Sequence, residues 1–208
     1  MDEQLGLRER KKLRTHRAIS NAAIELFIAS GFDQVSVAQV AEAAEVSRRT
    51  LFAYFPTKED LVLHRFADHE DEPARVVRGR AEGQAPLDAL RVHYLDRLAR
   101  RDPNTGLNDQ PGMLAFIRLV KETPSLAARM YEYFNRGTAT LAEALTEAGT
   151  DPVTARLAAA QIIGVQRVLS QDNSATLLAG STADDRYPAA VAAAEHGYDL
   201  LANGLTGH

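Results

Sequence analysis

Apolar residues recur three and four positions apart along almost the whole chain, and no segment shows the alternating β-branched pattern of a half-buried strand. The one candidate, GFDQVSVAQV, is short and flanked by helical pattern. The expected fold class is therefore all-α, with helices burying their apolar stripes against one another. The 208 residues suit one or two domains, at roughly 100–200 residues each. A chain of that size supports a core without a metal or a disulfide. Cysteine is absent, which excludes disulfides, zinc ribbons, iron–sulfur sites and thiol nucleophiles. No apolar run approaches the ~18 residues of a membrane span, and MDEQLGLRERKKLR has no apolar h-region, so no secretory signal is expected. The expected location is the cytoplasm.

Nine helices are read from the spacing and the caps. The first runs from about Arg10 to Ser30, with Ile19, Ala23, Leu26 and Phe27 on one face and Gly31 as its stop. Ser36 caps a short helix, Val37 to Ala44, and Ser47 caps another, Arg48 to Phe55, ended by Pro56. Thr57 with Asp60 opens a fourth, which runs on toward Gly79 with a disturbance at Pro73. A fifth spans Pro86 to Arg101 and a sixth carries Met113, Phe116, Ile117 and Val120. Ser125 caps a seventh, closed by Gly149. Asp151-Pro152 opens an eighth to about Asp172, and a ninth runs from about Asp184 to Asn203.

Two short helices joined by Glu45-Val46-Ser47 have the length and shape of a helix-turn-helix. Val37, Val40, Ala41 and Ala44 of its first helix, and Leu51, Phe52 and Phe55 of its second, are expected to face inward. Arg48, Arg49, Thr50, Ala53 and Tyr54 are left outward. Such a second helix enters the major groove with its N-terminal residues at base edges. Arginine there bonds guanine O6 and N7 together. Charge agrees with this reading. The chain has formal net charge −4, yet Arg8, Arg10, Lys11, Lys12, Arg14 and Arg17 lie together with Glu9 as the sole acid. A dense basic arm on an acidic protein binds anions. Nucleic acid leads, with a membrane surface or a solvated tail as the alternatives.

The block from Arg8 to about Phe66 resembles the TetR-like (TetR/AcrR) family of one-component bacterial transcriptional regulators. The likeness rests on the basic arm, AIELFIASGFDQVSV, AQVAEAAEVS and LFAYFPTKEDL. It implies a helix-turn-helix DNA-binding domain at 1–65 and a helical effector-binding and dimerisation domain at 66–208. It implies DNA-binding roles for Arg10, Lys11, Lys12, Arg14, Ser36, Ser47, Arg48, Arg49, Thr50, Tyr54 and Lys58, with Ser36 and Lys58 at phosphates. The sequence departs from the family pattern at Val35, where threonine is frequent, at Glu45, where glycine is common, and at Phe52, where tyrosine is common. Double-stranded operator DNA, a small-molecule effector and a second copy of the chain are the partners so implied. A repressor that binds a palindrome and is released by a small, mostly apolar effector is expected, with an activator or a ligand-independent regulator of the same fold as the alternative.

Beyond about Arg75 the resemblance is one of helix count and order. Ala160 and Gly164, then Ala190, Ala194, Gly197 and Leu201, form small-residue faces suited to a four-helix dimer seam or to packing within one chain. Tyr94, Met113, Phe116, Ile117, Met130, Tyr131 and Phe134 gather aromatic and flexible apolar side chains, either as pocket lining or as plain core. Gln161 and Gln166 stand in an otherwise apolar stretch, positioned to orient a polar ligand group or to bond across a dimer. His64 and His69 are five apart, which splays them on a helix, and His69-Glu70-Asp71-Glu72 reads as a surface run. There is no Gly-x-Ser-x-Gly, P-loop or dinucleotide fingerprint. No catalytic residue, metal site or cofactor is assigned.

Overall fold

The computed structural model describes residues 6–67 and 69–204, without the side chains of Leu7, Arg8, Arg65 and Ala67. Ten α-helices and no strand occur among the described residues: α1 Leu7–Ser30, α2 Val37–Ala43, α3 Arg48–Tyr54, α4 Asp60–Ala67, α5 Glu72–Arg78, α6 Pro86–Ala99, α7 Pro111–Glu122, α8 Pro124–Glu147, α9 Pro152–Leu178 and α10 Ala183–Asn203. A 3-10 turn, Pro103–Thr105, follows α6. No helix among the described residues is long and apolar enough to cross a membrane. The chain divides into two compact units, residues 1–65 with 118–129 and residues 66–117 with 130–208. The division falls inside α4, α7 and α8.

In the first unit, Ile19, Ala23 and Phe27 of α1 are fully buried at four-residue spacing. Gly31, at φ 87°, donates to the Phe27 carbonyl and ends the helix where a side chain would be strained. Phe32 and Val35 turn the corner into the core. Val40 and Ala41 of α2, Leu51 and Phe55 at α3, and Leu61, Val62 and Leu63 of α4 complete it. Each large apolar side chain so buried contributes roughly 1.5–3 kcal/mol. Thr57 and Asp60 cap one another before α4. The Thr57 amide donates to Asp60 Oδ2 at 3.1 Å, and the Asp60 amide donates to Thr57 Oγ1 at 3.2 Å. The other Asp60 oxygen receives Arg129 Nη2 at 3.2 Å, which satisfies a buried carboxylate.

The second unit centres on α6, α9 and α10, with Leu90, Tyr94 and Leu98 packed among Ala155, Ala159, Ile162, Ala190, Ala194 and Tyr198. Alanine at the facing positions lets these helices approach closely. Gly197 carries this furthest, since a Cβ there would stand 2.9 Å from Val165 Cγ1. Buried Asn173 ties the layers together, donating to the Thr105 carbonyl at 3.0 Å and accepting from Arg186 Nε at 3.1 Å.

Several expectations change. The helix read from Thr57 toward Gly79 is two helices, because Pro73 lacks an amide proton and sits in the first turn of α5. α8 starts at Pro124, so Ser125 lies inside the helix and is not its cap. α9 runs six residues past the expected Asp172, to Leu178. Phe52 does not face inward: it is 49% exposed, because Leu51 and Phe55 alone share the buried stripe of α3. Of the two readings of the small-residue face of α10, a dimer seam or packing within one chain, Ala190, Ala194 and Gly197 follow the second: they are buried inside their own unit.

Candidate nucleic-acid interface and apolar cavity

The helix-turn-helix is held by side-chain caps. Ser36 Oγ accepts from the Gln39 amide at 3.3 Å, and Gln39 Oε1 accepts from the Ser36 amide at 2.8 Å, a complete capping box on α2. Glu45 sits at φ 53°, so the turn takes the left-handed conformation that glycine adopts without strain. Ser47 Oγ accepts from the Thr50 amide at 3.0 Å and pairs with the Thr50 hydroxyl at 2.7 Å. That pair fixes both side chains at the start of α3. Arg48 and Arg49 beside them are exposed.

Tyr54 is half-buried, with the His16 ring 6.1 Å away. His16 itself stacks on Phe55 at 4.4 Å. His16 thus ties α1 to the end of α3, a contact that no local spacing announces. Arg10, Lys11, Lys12, Arg14 and Arg17 are exposed along the first half of α1. The first five residues and the Arg8 side chain of the expected basic arm lie outside the described residues. A surface groove is lined by Glu9, Lys11, Lys12 and Thr15 from α1 together with Val46 of the turn and Thr50, Ala53 and Tyr54 from α3, so two cations face it against one carboxylate. Folding thus brings the basic stretch of α1 beside α3.

Lys58 is partly engaged at home. Its ammonium donates to the Phe32 carbonyl at 2.5 Å and lies 4.3 Å from the Phe32 ring centroid. An ammonium has three donors, so this bond holds the side chain in place without exhausting it.

In the second unit, a cavity of about 170 Å³ lies among α5, α6, α8 and α9. Of the residues expected at a pocket, Tyr94, Met130 and Phe134 line it. Phe116 is buried outside it, stacked on the lining residue Phe66 at 5.7 Å. Met113 and Ile117 are half-buried on α7 and do not line it. Tyr131 is turned out of it, because the α8 wall is formed at Met130, Tyr133, Phe134 and Gly137. Gln161 is exposed on the opposite side of α9 from Ile163, Gln166 and Ser170, which line the cavity.

Gly137 lines the cavity, and Gly106 packs against the lining residue Ser170. A Cβ on Gly137 would meet the Glu70 carbonyl at 2.8 Å, and one on Gly106, at φ 72°, would meet the Ser170 carbonyl at 2.1 Å. Both are close approaches between distant segments, which no local motif announces.

In the run His69-Glu70-Asp71-Glu72, read as a surface run, His69 and Asp71 are exposed, while Glu70 and Glu72 are half-buried in ion pairs. Glu72 accepts from His69 Nδ1 at 3.2 Å, His93 Nε2 at 3.0 Å and Arg97 Nη1 at 2.8 Å. Burial works to raise this carboxyl, but the two histidine bonds and the Arg97 charge hold it well below the ordinary carboxylate range. The bond to Glu72 lifts His69 above its ordinary value against the opposing effect of burial. Arg97 Nη2 reaches Asp102 at 2.8 Å. Glu70 receives Arg136 at 2.9 Å.

Comparison with known proteins follows this division. Residues 19–64 match the family described as bacterial regulatory proteins, tetR family. The HTH-type transcriptional regulator TcmR of Streptomyces glaucescens is 36% identical over 132 residues, 63% of this chain and 57% of that protein. The chain thus spans little more than half the length of that relative. RutR of Escherichia coli K12, another HTH-type transcriptional regulator, is 37% identical over 91 residues, 42% of each chain. Among solved structures, a putative TetR-family regulator from Mesorhizobium loti aligns with TM-score 0.54 at 24% identity, over 90% of this chain and 96% of that one. FadR of Bacillus subtilis, solved in complex with stearoyl-CoA, aligns with TM-score 0.53 at 19% identity, over 91% of this chain and 98% of that one. These likenesses show a shared fold.

Proposed function

The chain belongs to the TetR family of bacterial regulatory proteins, and on that premise we propose that it is a cytoplasmic repressor that binds a palindromic operator as a homodimer and is released by a small, mostly apolar effector. The observation that carries this reading is the groove shared by Lys11 and Lys12 of α1 with Thr50, Ala53 and Tyr54 of α3, beside exposed Arg48 and Arg49. In it, α3 enters the major groove. Arg48 and Arg49 read guanine edges, and Arg10, Lys11, Lys12, Arg14, Ser36, Ser47, Tyr54 and Lys58 meet the backbone. Thr50 contacts a phosphate or a thymine methyl.

A two-fold reader must hold its recognition helices about 34–36 Å apart. The dimer face follows α9, where Val153, Leu157 and Val168 are 54%, 59% and 57% exposed, with Ala160 and Gly164 between them. Large apolar side chains exposed along one helix face mark an interaction surface. An effector in the second unit releases DNA only if it binds the DNA-incompetent spacing better. Operator then weakens effector binding by the same factor.

The test is fluorescence anisotropy on genomic fragments selected by the full-length protein. A specific palindrome bound by a particle of twice 22.7 kDa in light scattering is expected. A monomer at micromolar concentration, or equal affinity for all duplexes, overturns the reading. A Cβ at Gly164 meets nothing within 4 Å. Gly164→Leu should therefore leave each unit folded and split the dimer.

A further inference from the structure

We infer, resting on the reading that the second unit's cavity takes the effector, that this effector is a neutral compound of about one ring bearing a hydrogen-bond-accepting oxygen, and that the Tyr94 hydroxyl donates to that oxygen. Size is the first constraint. The cavity is about 170 Å³, and a dry apolar cavity of ~150 Å³ holds one benzene. Phe66, Pro73, Met130, Phe134 and Ile163 supply apolar walls suited to a flat ring.

The second constraint is a contrast between two neighbouring tyrosines, whose rings stand 6.0 Å apart. The Tyr198 hydroxyl accepts from Gln166 at 2.8 Å and donates to the Leu90 carbonyl at 3.2 Å. Tyr94 lines the cavity, is only 4% exposed, and its hydroxyl has no partner. A buried hydroxyl without a partner is destabilising, and buried polar groups are rarely left so. Burial also pushes the Tyr94 hydroxyl above its ordinary pKa range, so it remains a donor. The matching ligand group is an acceptor.

Charge is the third constraint. Arg97 lines the same cavity with Nη1 on Glu72 and Nη2 on Asp102, both at 2.8 Å. Only its Nε lacks a partner. Its charge is already balanced by two carboxylates, and Glu70 adds a third carboxylate, paired with Arg136. A carboxylate ligand brought to the Tyr94–Arg97 end would face those negative charges, and the other guanidinium of the lining, Arg167, belongs to α9 and lies over the outward Tyr131 ring at 5.8 Å. A carbonyl or ether oxygen receives the Tyr94 proton and the Arg97 Nε–H without that repulsion.

The test uses full-length protein with acetophenone, benzoate and toluene as single-ring probes, followed by ligand-observed NMR titration and by thermal shift. Acetophenone should bind tightest. Tyr94→Phe should weaken acetophenone roughly five- to tenfold, the worth of one hydrogen bond, and leave toluene unchanged. The Tm of the ligand-free variant should hold or rise, because the lost hydroxyl had no partner. Benzoate binding tightest, Tyr94→Phe weakening all three probes alike, a lower Tm of the ligand-free variant, or no probe binding at all would each overturn the inference. Operator affinity measured in the same samples separates the two readings. Acetophenone bound through Tyr94 with operator affinity unmoved would keep the ligand chemistry and overturn effector control.

Discussion

Arg48 and Arg49 stand exposed at the start of α3, while Tyr94 and Arg97 sit in the wall of a cavity with their polar groups held by α5 and the turn after α6, or held by nothing. The first unit carries its candidate chemistry on the outside of a closed core, and the second carries it on the inside. A surface reader can change its polar face without disturbing what holds it up. A cavity cannot, because the residues that line it are also the ones that pack. Substitutions on the outward face of α3 should therefore separate function from stability, and those that change the packing volume of the second unit's cavity wall should couple them.

The strongest blow to the second unit should come from Gly106→Val. It forces a β-branched residue to φ 72° and drives a Cβ to 2.1 Å from the Ser170 carbonyl. Left-handed strain plus overpacking should cost about 4 kcal/mol. Chemical denaturation should show it as a lowered midpoint. Unchanged stability would mean that the 3-10 turn does not pack on α9.

Its counterpart in the first unit is Leu51→Ala, in the fully buried stripe of α3. Loss of transfer energy and the residual cavity should cost about 3 kcal/mol. DNA affinity should fall with stability. Arg48→Ala and Arg49→Ala on the same helix then break the coupling. Melting should be unchanged within about 0.5 kcal/mol, while discrimination between operator and scrambled duplex falls by about 1–3 kcal/mol for whichever arginine grips a guanine. If both variants discriminate like wild type, the outward face of α3 is not the reader.

A smaller effect, of opposite sign, is expected at the turn. Glu45→Gly removes a side chain from φ 53°. It should raise stability by up to about 1 kcal/mol, the left-handed penalty less the added freedom of the unfolded glycine. Differential scanning calorimetry resolves this, and a loss would show Glu45 to hold the turn by another contact.

The smallest effect is a slope. His69 is raised by Glu72, so its contribution is fully present below the unfolded histidine pKa and fades as pH rises through the folded value. Wild-type stability should decline as pH rises past the ordinary histidine value of 6.5 and through the raised folded value, relative to Glu72→Gln, whose profile should be flatter. Parallel profiles would show that the pair does not titrate as a unit. The depressed Glu72 carboxyl works the other way, giving stability that is fully present above the ordinary carboxylate pKa and is lost progressively as pH falls from there through its lowered value.

Much of the first unit was legible because its determinants are local. Ser36 with Gln39, Ser47 with Thr50 and Thr57 with Asp60 are three residues apart, and a cap needs nothing beyond that spacing. Phe52 misled because a residue beside two buried neighbours looks apolar enough to join them, while helix geometry turns it 100° away. In the second unit, Tyr94, Met130 and Phe134 were found among the lining residues, but Arg97, Asn104 and Ser170 were not. Polar residues on helices give no sign of the side they face until the partner helices are placed. The small residues of α10 show the same limit. Their spacing announces a close approach, and only the packing of Val165 against Gly197 shows which helix makes it.

The sequence by itself determined the helical class, most helix ends and the helix-turn-helix, because periodicity, caps and turn length act over a few residues. Tertiary structure alone decided that Lys11 and Lys12 share a groove with Tyr54, that Glu72 gathers two histidines and an arginine, and that Tyr94 keeps an unpaired hydroxyl in a cavity wall. Each of these joins residues from separate helices. Which of them meet depends on how the apolar faces of whole helices pack, which no local spacing records.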